Sequence, residues 1–243
     1  MKLAVIGDPI AHSRSPRLHQ GFMDDASIDG SYEAITVARG RAVDVLRRMR
    51  ADGFTGCNVT YPLKEEALLA CDVLDESARR IGAINTLFLG AAVVGTNTDG
   101  LGARIALETL LDEPIALKRV GILGSGATAR AVLAELETND VYTYVWARDG
   151  QKVVDLCERF DAQPWVDGNP PEFVLSTLPP AATLAPGLIE QLRAVDLVMD
   201  ANYGSRSTLA QALGRDVIPG DQMLEAQARA SFDFWLAHVE GLT

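Results

Sequence analysis

The sequence is poor in cysteine, histidine and positive charge, and it lacks long apolar runs. Its three cysteines are odd in number and lack the spacing of metal ligands, so we expect buried reduced thiols and no metal site. The apolar stretch at residues 3–7 is too short for a signal peptide, and no run approaches the length of a membrane span. We therefore expect a soluble protein of the cytoplasm.

The shortage of positive charge argues against nucleic acid or an anionic membrane as a partner. Against 33 Asp and Glu there are 22 Lys and Arg, which gives a formal net charge of -11. Phosphate backbones and anionic lipids repel such a surface, so an anionic ligand must be held by local positive charge. With 243 residues, 48% of them hydrophobic, the chain can form one large or two small domains.

Alternating apolar runs and helical patterns predict an α/β fold rather than a helix bundle or a β-sandwich. The predicted strands lie at 3–6, 32–37, 54–59, 86–89, 92–95, 119–123, 141–146, 173–176 and 196–199. The predicted helices lie at 16–26, 41–50, 65–70, 76–81, 100–111, 127–137, 151–160 and 221–239, with Ser15 as the N-cap of the first.

The alternation restarts after Asp112-Glu113-Pro114, which indicates a domain boundary. We predict an N-terminal α/β substrate-binding domain at residues 1–103, with a C-terminal helix at 221–243 packing back onto it. Residues 104–220 should form a Rossmann-like, doubly wound dinucleotide-binding domain.

A glycine-rich loop follows the predicted strand at 119–123 and opens a helix. It reads Gly124-Ser125-Gly126-Ala127-Thr128-Ala129, which matches G-x-G-x-x-A. Glycines permit a tight turn and the close approach of a pyrophosphate, and the helix N-terminus offers free N–H groups. The loop predicts dinucleotide binding; the alternative is a tight strand–helix turn without a cofactor.

The end of the next strand bears on which cofactor is bound. Arg148 and Lys152 suit the 2'-phosphate of NADP, whereas Asp149 suits the ribose 2'-hydroxyl of NAD. We expect NADP, with NAD as the alternative, and ordinary surface charge would also explain both basic residues.

Six segments in order give the chain a resemblance to shikimate dehydrogenases over nearly its whole length. They are Gly7-Asp8-Pro9-Ile10-Ala11-His12-Ser13-Arg14-Ser15-Pro16 with His19, Asn58-Val59-Thr60-Tyr61-Pro62-Leu63-Lys64, Gly82-Ala83-Ile84-Asn85-Thr86, Gly95-Thr96-Asn97-Thr98-Asp99-Gly100, the glycine loop, and Gly220 with Met223-Leu224, Gln227 and Phe232. The resemblance implies reversible reduction of 3-dehydroshikimate to shikimate with NADPH, a step towards chorismate and the aromatic amino acids.

Lys64 and Asp99 are the candidate catalytic residues. Hydride delivery to a carbonyl carbon leaves negative charge on its oxygen, which an ammonium can stabilise and then protonate. Asp99 could orient Lys64 and bind a substrate hydroxyl. The alternative is a surface lysine and an aspartate that merely caps the following helix.

The other candidates are substrate-binding residues. Ser13 and Ser15 precede a helix start, where hydroxyl and N–H groups could hold a carboxylate, as such serines do in the family; helix capping is the alternative. The remaining candidates offer polar groups suited to a hydroxylated ring, and they are Asn58, Thr60, Asn85, Tyr203 and Gln227. The alternatives are that Asn58 braces its loop and that Tyr203 only packs.

The sequence departs from the family pattern mainly in its second half. The family's Asn-Ala-Thr-Pro and Gly-Met become Ser176-Thr177-Leu178-Pro179 and Pro180-Ala181-Ala182, a usual proline is Ser205, and Asn-Arg-Thr becomes Ala147-Arg148-Asp149. We expect these changes to affect cofactor preference and reaction rate more than substrate binding. A quinate or aminoshikimate dehydrogenase and a ligand-binding relative without turnover stay open, as does the choice between monomer and homodimer.

Overall fold

The computed structural model describes residues 1–166, 170–180 and 182–241. The chain divides into two compact units, one formed by Met1–Asp99 together with the chain from Glu225 onward, the other by Gly100–Leu224. Ala181 of the departing loop, and the last two residues of the helix predicted at 221–243, lie outside the described residues.

The first unit is built on a mixed sheet. Its strands are β1 (Lys2–Gly7), β2 (Ser31–Thr36), β3 (Gly56–Val59), β4 (Val73–Leu74), β5 (Thr86–Leu89) and β6 (Val93–Thr96). Its helices include α1 (Ser15–Asp25), α2 (Ala42–Ala51) and α3 (Glu76–Ile81), with a 3-10 helix at Glu66–Ala70. The strand order is β2-β1-β3-β5-β6-β4, in which β1 runs parallel to β2 and β3, and β5 runs antiparallel to β3 and β6.

The chain passes from one unit to the other within two helices. Helix α4 (Asp99–Leu111) begins at the last residue of the N-terminal segment, and the C-terminal helix, given its number below, spans Asp221–Glu240. Along the C-terminal helix, Phe232 and Trp235 are fully buried and pack in one core cluster with Leu3 and Phe22. Residues 3–6 of strand β1 are all apolar and buried because both faces of this interior strand are covered.

The second unit is a parallel doubly wound sheet. Its strands are β7 (Arg119–Leu123), β8 (Tyr142–Trp146), β9 (Gln163–Pro164), β10 (Phe173–Ser176), β11 (Leu197–Asp200) and β12 (Ile218–Pro219). Its helices include α5 (Ala127–Glu137), α6 (Gly150–Phe160), α7 (Pro186–Arg193) and α8 (Leu209–Leu213), so that the C-terminal helix is α9. A further 3-10 helix lies at Gly204–Arg206.

The strand order of this sheet is β9-β8-β7-β10-β11-β12, read from one edge, and all its pairings are parallel. This is the 3-2-1-4-5-6 order of dinucleotide-binding folds, whose order reverses between β7 and β10. The predicted fold class, an α/β domain followed by a Rossmann-like domain, is confirmed. None of the described helices combines the length and the apolar character needed to cross a membrane.

Candidate active site

Lys64 and Asp99 form a buried ion pair within the first unit. The pair joins Lys64 Nζ to Asp99 Oδ2, and the two side chains are only 14% and 7% exposed. The backbone N–H of Ile84 donates to the carbonyl of Lys64 at 2.9 Å, which fixes the loop after β3 that carries the lysine. We refer to these two side chains as the buried ion pair. Their burial is unlike that of a solvated surface pair.

Asn85 holds the second oxygen of Asp99. Its Nδ2 donates to Asp99 Oδ1 at 2.8 Å, and its Oδ1 accepts the backbone N–H of Thr98 at 2.9 Å. Because a backbone N–H can only donate, the contact with Thr98 determines which end of the amide faces Asp99. Gln227 adds its Oε1 at 3.2 Å from Asn85 Nδ2. The structure thus brings four predicted site residues into one cluster.

The backbone of Asp99 is bound by a different side chain. Asn97 Oδ1 accepts the N–H of Asp99 at 3.0 Å at the start of α4. The carboxylate of Asp99 is therefore engaged by Lys64 and Asn85, and Asn97 supplies the oxygen that binds this N–H.

Asn58 lies behind Asn85, in the bracing position that was the alternative to substrate contact. Its Nδ2 donates to the carbonyl of Asn85 at 3.0 Å and to Thr86 Oγ1 at 3.0 Å. Its Oδ1 accepts the hydroxyl of Tyr32 at 2.7 Å, and Asn58 is 6% exposed. A contact between Asn58 and substrate stays a prediction.

The two serines lie together at the start of α1. The N–H of Ser15 donates to Ser13 Oγ at 3.3 Å, and Ser15 is buried while Ser13 is half-buried. The predicted capping by Ser15 is wrong, because α1 begins at Ser15 and the N-cap position is taken by Arg14, whose side chain does not cap the helix. Pro16 lies in the first turn of α1, where a missing N–H costs nothing.

Thr60 follows β3 and lies against the end of β1. A Cβ added to Gly7 would lie 2.4 Å from Thr60 Cγ2, so glycine permits the close approach of the two loops. Tyr203 belongs to the second unit, where it is half-buried ahead of the 3-10 helix at Gly204–Arg206.

A buried histidine lies in the aromatic core of the first unit. His19 stacks on Tyr32 with ring centroids 4.4 Å apart and an interplanar angle of 5°, and it has no exposed surface. Burial, helped by the charge of Arg229, lowers the pKa of His19 from 6.5 to about 3. His19 is therefore neutral at pH 7 and acts as an aromatic packing group.

The glycine loop of the second unit fits a dinucleotide. Gly124 has a φ of 122°, in the region that other residues avoid, and a Cβ there would lie 2.5 Å from Thr177 Oγ1. Gly126 caps α5 without a side-chain hydrogen bond, and the space where its Cβ would stand is open. A glycine loop that leads from a strand into a helix N-terminus is where dinucleotide-binding folds hold a pyrophosphate. The loop lies where the strand order reverses, the expected place for the ligand.

Asp149 has a structural role at the end of β8. It is the N-cap of α6, and its Oδ1 accepts the N–H groups of Gln151 at 3.1 Å and Lys152 at 3.4 Å. Arg148 and Lys152 have exposed side chains beside this cap. Both positive charges are therefore accessible to a phosphate, while the carboxylate oxygen that contacts α6 is engaged.

The loop that departs from the family pattern is tied to the end of β11. Asn202 Nδ2 donates to the carbonyl of Leu178 at 2.9 Å and to Asp200 Oδ1 at 2.8 Å. Asp200 is 2% exposed, and burial raises the pKa of its carboxyl. Ser207 also donates to Asp200, at 3.1 Å.

Comparison with known proteins agrees with this architecture. Residues 5–87 match the family described as shikimate dehydrogenase substrate binding domain. The shikimate dehydrogenase (NADP(+)) of Bacillus licheniformis is 31% identical, over 96% of this chain and 91% of the relative. The enzyme of the same name from Herminiimonas arsenicoxydans is 35% identical, with the same two coverages of 96% and 91%.

A solved structure gives the same result. Shikimate 5-dehydrogenase from Thermus thermophilus, in complex with NADP(H) and shikimate, superposes with a TM-score of 0.84 at 28% identity. The match covers 98% of this chain and 94% of the other. Fold and site thus define a two-unit oxidoreductase of the dinucleotide-binding class. The chain belongs to the shikimate dehydrogenase family, which confirms the resemblance drawn from its motifs.

Sequence reasoning assigned no role to several buried polar residues of the cluster. They are Tyr32, Thr86, Thr98 and Ser231. Thr86 and Thr98 stand inside the quoted motifs, each next to a predicted site residue. Ser231 had one available signal, its position four residues after Gln227, which places both on the same helix face.

Proposed function

We propose that this protein catalyses the reversible NADPH-dependent reduction of 3-dehydroshikimate to shikimate. Its family, and the NADP(+) in the names of its relatives, support the proposal. The observation that carries it is the buried ion pair, whose carboxylate is held on its second oxygen by Asn85.

The reacting carbonyl needs a hydride on carbon and a proton on oxygen. The nicotinamide cofactor, when bound, supplies the hydride. Lys64 Nζ holds the proton and gives it to the oxygen as that atom gains negative charge. Asp99 Oδ2 keeps the ammonium in place. In the reverse direction the neutral amine of Lys64 accepts the hydroxyl proton.

Neutral groups bind the ring and its carboxylate in this proposal. Ser13 and Ser15, at the N-terminus of α1, hold the carboxylate with hydroxyl and N–H donors. Asn85, Gln227 and Thr60 contact ring hydroxyls, and these groups would be left unpaired by an analogue that lacks a hydroxyl. We propose Tyr203 as a further contact and Asn58 as the brace of Asn85.

The cofactor proposal is NADP. The glycine loop and the N-terminus of α5 receive the pyrophosphate, and Arg148 with Lys152 receives the 2'-phosphate. The engagement of Asp149 as a helix cap supports NADP over NAD, because a carboxylate that serves α6 is less available to a ribose hydroxyl.

The proposed reaction places the protein in the pathway to chorismate and the aromatic amino acids, in the cytoplasm. Its three cysteines are free, and burial raises the pKa of the thiol of Cys71 to about 12, which makes that thiol a poor nucleophile. Free thiols of this kind are usual in a reducing compartment.

The test is a spectrophotometric assay of the purified protein, in which shikimate and quinate are each offered with NADP and with NAD. We expect kcat/KM to be highest for shikimate with NADP. A higher value for quinate would change the substrate assignment, and a clear preference for NAD would overturn the cofactor assignment. Absence of any absorbance change with shikimate would indicate a ligand-binding relative without turnover.

A further inference from the structure

The hydroxyl of Ser231 is a junction of buried hydrogen bonds in the first unit. Ser231 has no exposed surface. Its Oγ lies 2.7 Å from Thr86 Oγ1 and 3.1 Å from Thr98 Oγ1. Asn58 Nδ2 donates to it at 3.1 Å, and it donates to the carbonyl of Gln227 at 2.9 Å. Groups from β3, β5, α9 and the turn before α4 therefore meet at one oxygen.

Two of these partners stand next to site residues in the sequence. Thr86 follows Asn85, and its hydroxyl donates to Asn85 Oδ1 at 2.9 Å. Thr98 precedes Asp99, and its hydroxyl oxygen accepts from Asn85 Nδ2 at 2.9 Å. Both ends of the Asn85 amide are thus held by a threonine, and both threonines contact Ser231.

The hydrogen bonds of Ser231 go beyond the one that its own helix supplies. Inside a helix, the bond of a serine hydroxyl to the carbonyl four residues earlier satisfies its single proton. At Ser231 that proton also has two threonine oxygens within reach, and the lone pairs of Oγ are available to the amide hydrogen of Asn58. The two threonines that contact Ser231 also bind the side-chain amide of Asn85, which in turn donates to Asp99.

We infer that Ser231 is a positioning residue for the buried ion pair: its hydroxyl keeps Thr86 and Thr98 in place, and these orient the Asn85 amide that donates to Asp99. The inference rests on the proposed function. Loss of the hydroxyl would take one hydrogen-bond partner from each threonine and leave Thr86 with Asn58 and Thr98 with the carbonyl of Gln227. The Asn85 amide that donates to Asp99 would then be held less firmly. Proton transfer would slow, while binding of the cofactor in the second unit would not change.

Ser231→Ala tests this inference because it removes the oxygen and leaves the rest of the side chain. We expect kcat for shikimate oxidation to fall about tenfold, with the KM for NADP within about twofold of wild type. The matched control is Trp235→Phe, one turn further along α9, which removes the Nε1 donor to the carbonyl of Leu87 at 2.8 Å. The control should lower the Tm at least as much and keep kcat within about twofold.

A second measurement does not depend on turnover. Hydrogen exchange of the Asn85 side-chain amide, followed by NMR, should be about tenfold faster in Ser231→Ala and unchanged in Trp235→Phe. Wild-type kcat and wild-type exchange in Ser231→Ala would overturn the inference, and so would an equal loss of kcat in the control. Wild-type protein that fails to oxidise shikimate would overturn the proposed function instead, and the exchange rates would still decide whether Ser231 holds Asn85.

Discussion

The side-chain amide of Asn85 donates a hydrogen bond to Asp99 Oδ1 at 2.8 Å, in a part of the first unit where Asn85 is 3% exposed. Asp99 therefore has each of its two oxygens assigned, one to Asn85 and the other to Lys64. Because the amide is neutral, it binds the carboxylate of Asp99 without adding charge. The negative charge of Asp99 is then balanced by the ammonium of Lys64.

Asn85→Asp should damage the site more than Asn85→Ala. The aspartate variant places a second carboxylate against Asp99, so we expect kcat to fall by about two orders of magnitude, compared with about one for alanine. Steady-state kinetics at a temperature where circular dichroism shows folded protein checks this. Asn139→Ala, which removes an amide bound to the carbonyl of Glu135 in the second unit, should keep wild-type kcat. Equal rates for Asn85→Asp and wild type would show that the amide is dispensable.

Arg148→Ala should change the KM for NADP much more than the KM for NAD. We expect the KM for NADP to rise about tenfold or more, because one charge-assisted contact to the 2'-phosphate is lost, with little change for NAD. Michaelis constants for both cofactors give the answer. A parallel rise for NADP and NAD would mean that Arg148 does not read the phosphate.

Asp149→Ala should act on stability instead. Since Asp149 caps α6, we expect a loss of about 1 kcal/mol of unfolding free energy in urea denaturation. The ratio of the two cofactor constants should stay at the wild-type value. A fall in NAD use with unchanged stability would assign Asp149 to the ribose.

Long apolar strands were predictable from the sequence, and very short ones were not. The strands predicted at 119–123 and 173–176 coincide with β7 and β10. The strands β4, β9 and β12 have two residues each, too few to show a period, and they exist because a neighbouring strand pairs with them. Helix α7 was not predicted, although Pro186 marks its first turn.

The site residues also include some that the sequence predicts and some that it does not. Lys64 and Asp99 were predicted because motifs surround both, and the fold brings these two residues together although they are 35 positions apart in the sequence. Ser231 is separated from Thr86 by 145 residues, and a single serine in a helix carries no motif. Its contacts depend on how α9 packs against β5, which no local pattern encodes.

The buried His19 predicts how stability depends on pH. Its pKa is about 3 when folded, against 6.5 as the reference for the unfolded chain, so below pH 6.5 the unfolded state binds a proton that the folded state does not. Stability is therefore lost as the pH falls from 6.5 towards 3. As the pH falls from about 7 to about 5, protonation of His19 in the unfolded state lowers the free energy of unfolding by about 2 kcal/mol.

Chemical denaturation at both pH values measures this effect. His19→Phe removes the titrating group, so its loss of unfolding free energy on acidification should be smaller than that of wild type by about 2 kcal/mol. If His19→Phe showed the same dependence as wild type, His19 would have to be protonated in the folded protein.

Lys64→Ala shows whether Lys64 is the proton donor, with kcat measured by cofactor absorbance and shikimate affinity by calorimetry on the same preparation. Lys118→Ala, which breaks a pair with Glu113 in the second unit, is the control and should match wild type. We expect kcat of Lys64→Ala to fall about a thousandfold while shikimate binding stays measurable, because the proton donor is lost and the other ring contacts remain. Near-normal turnover in this variant would mean that Lys64 is not the proton donor.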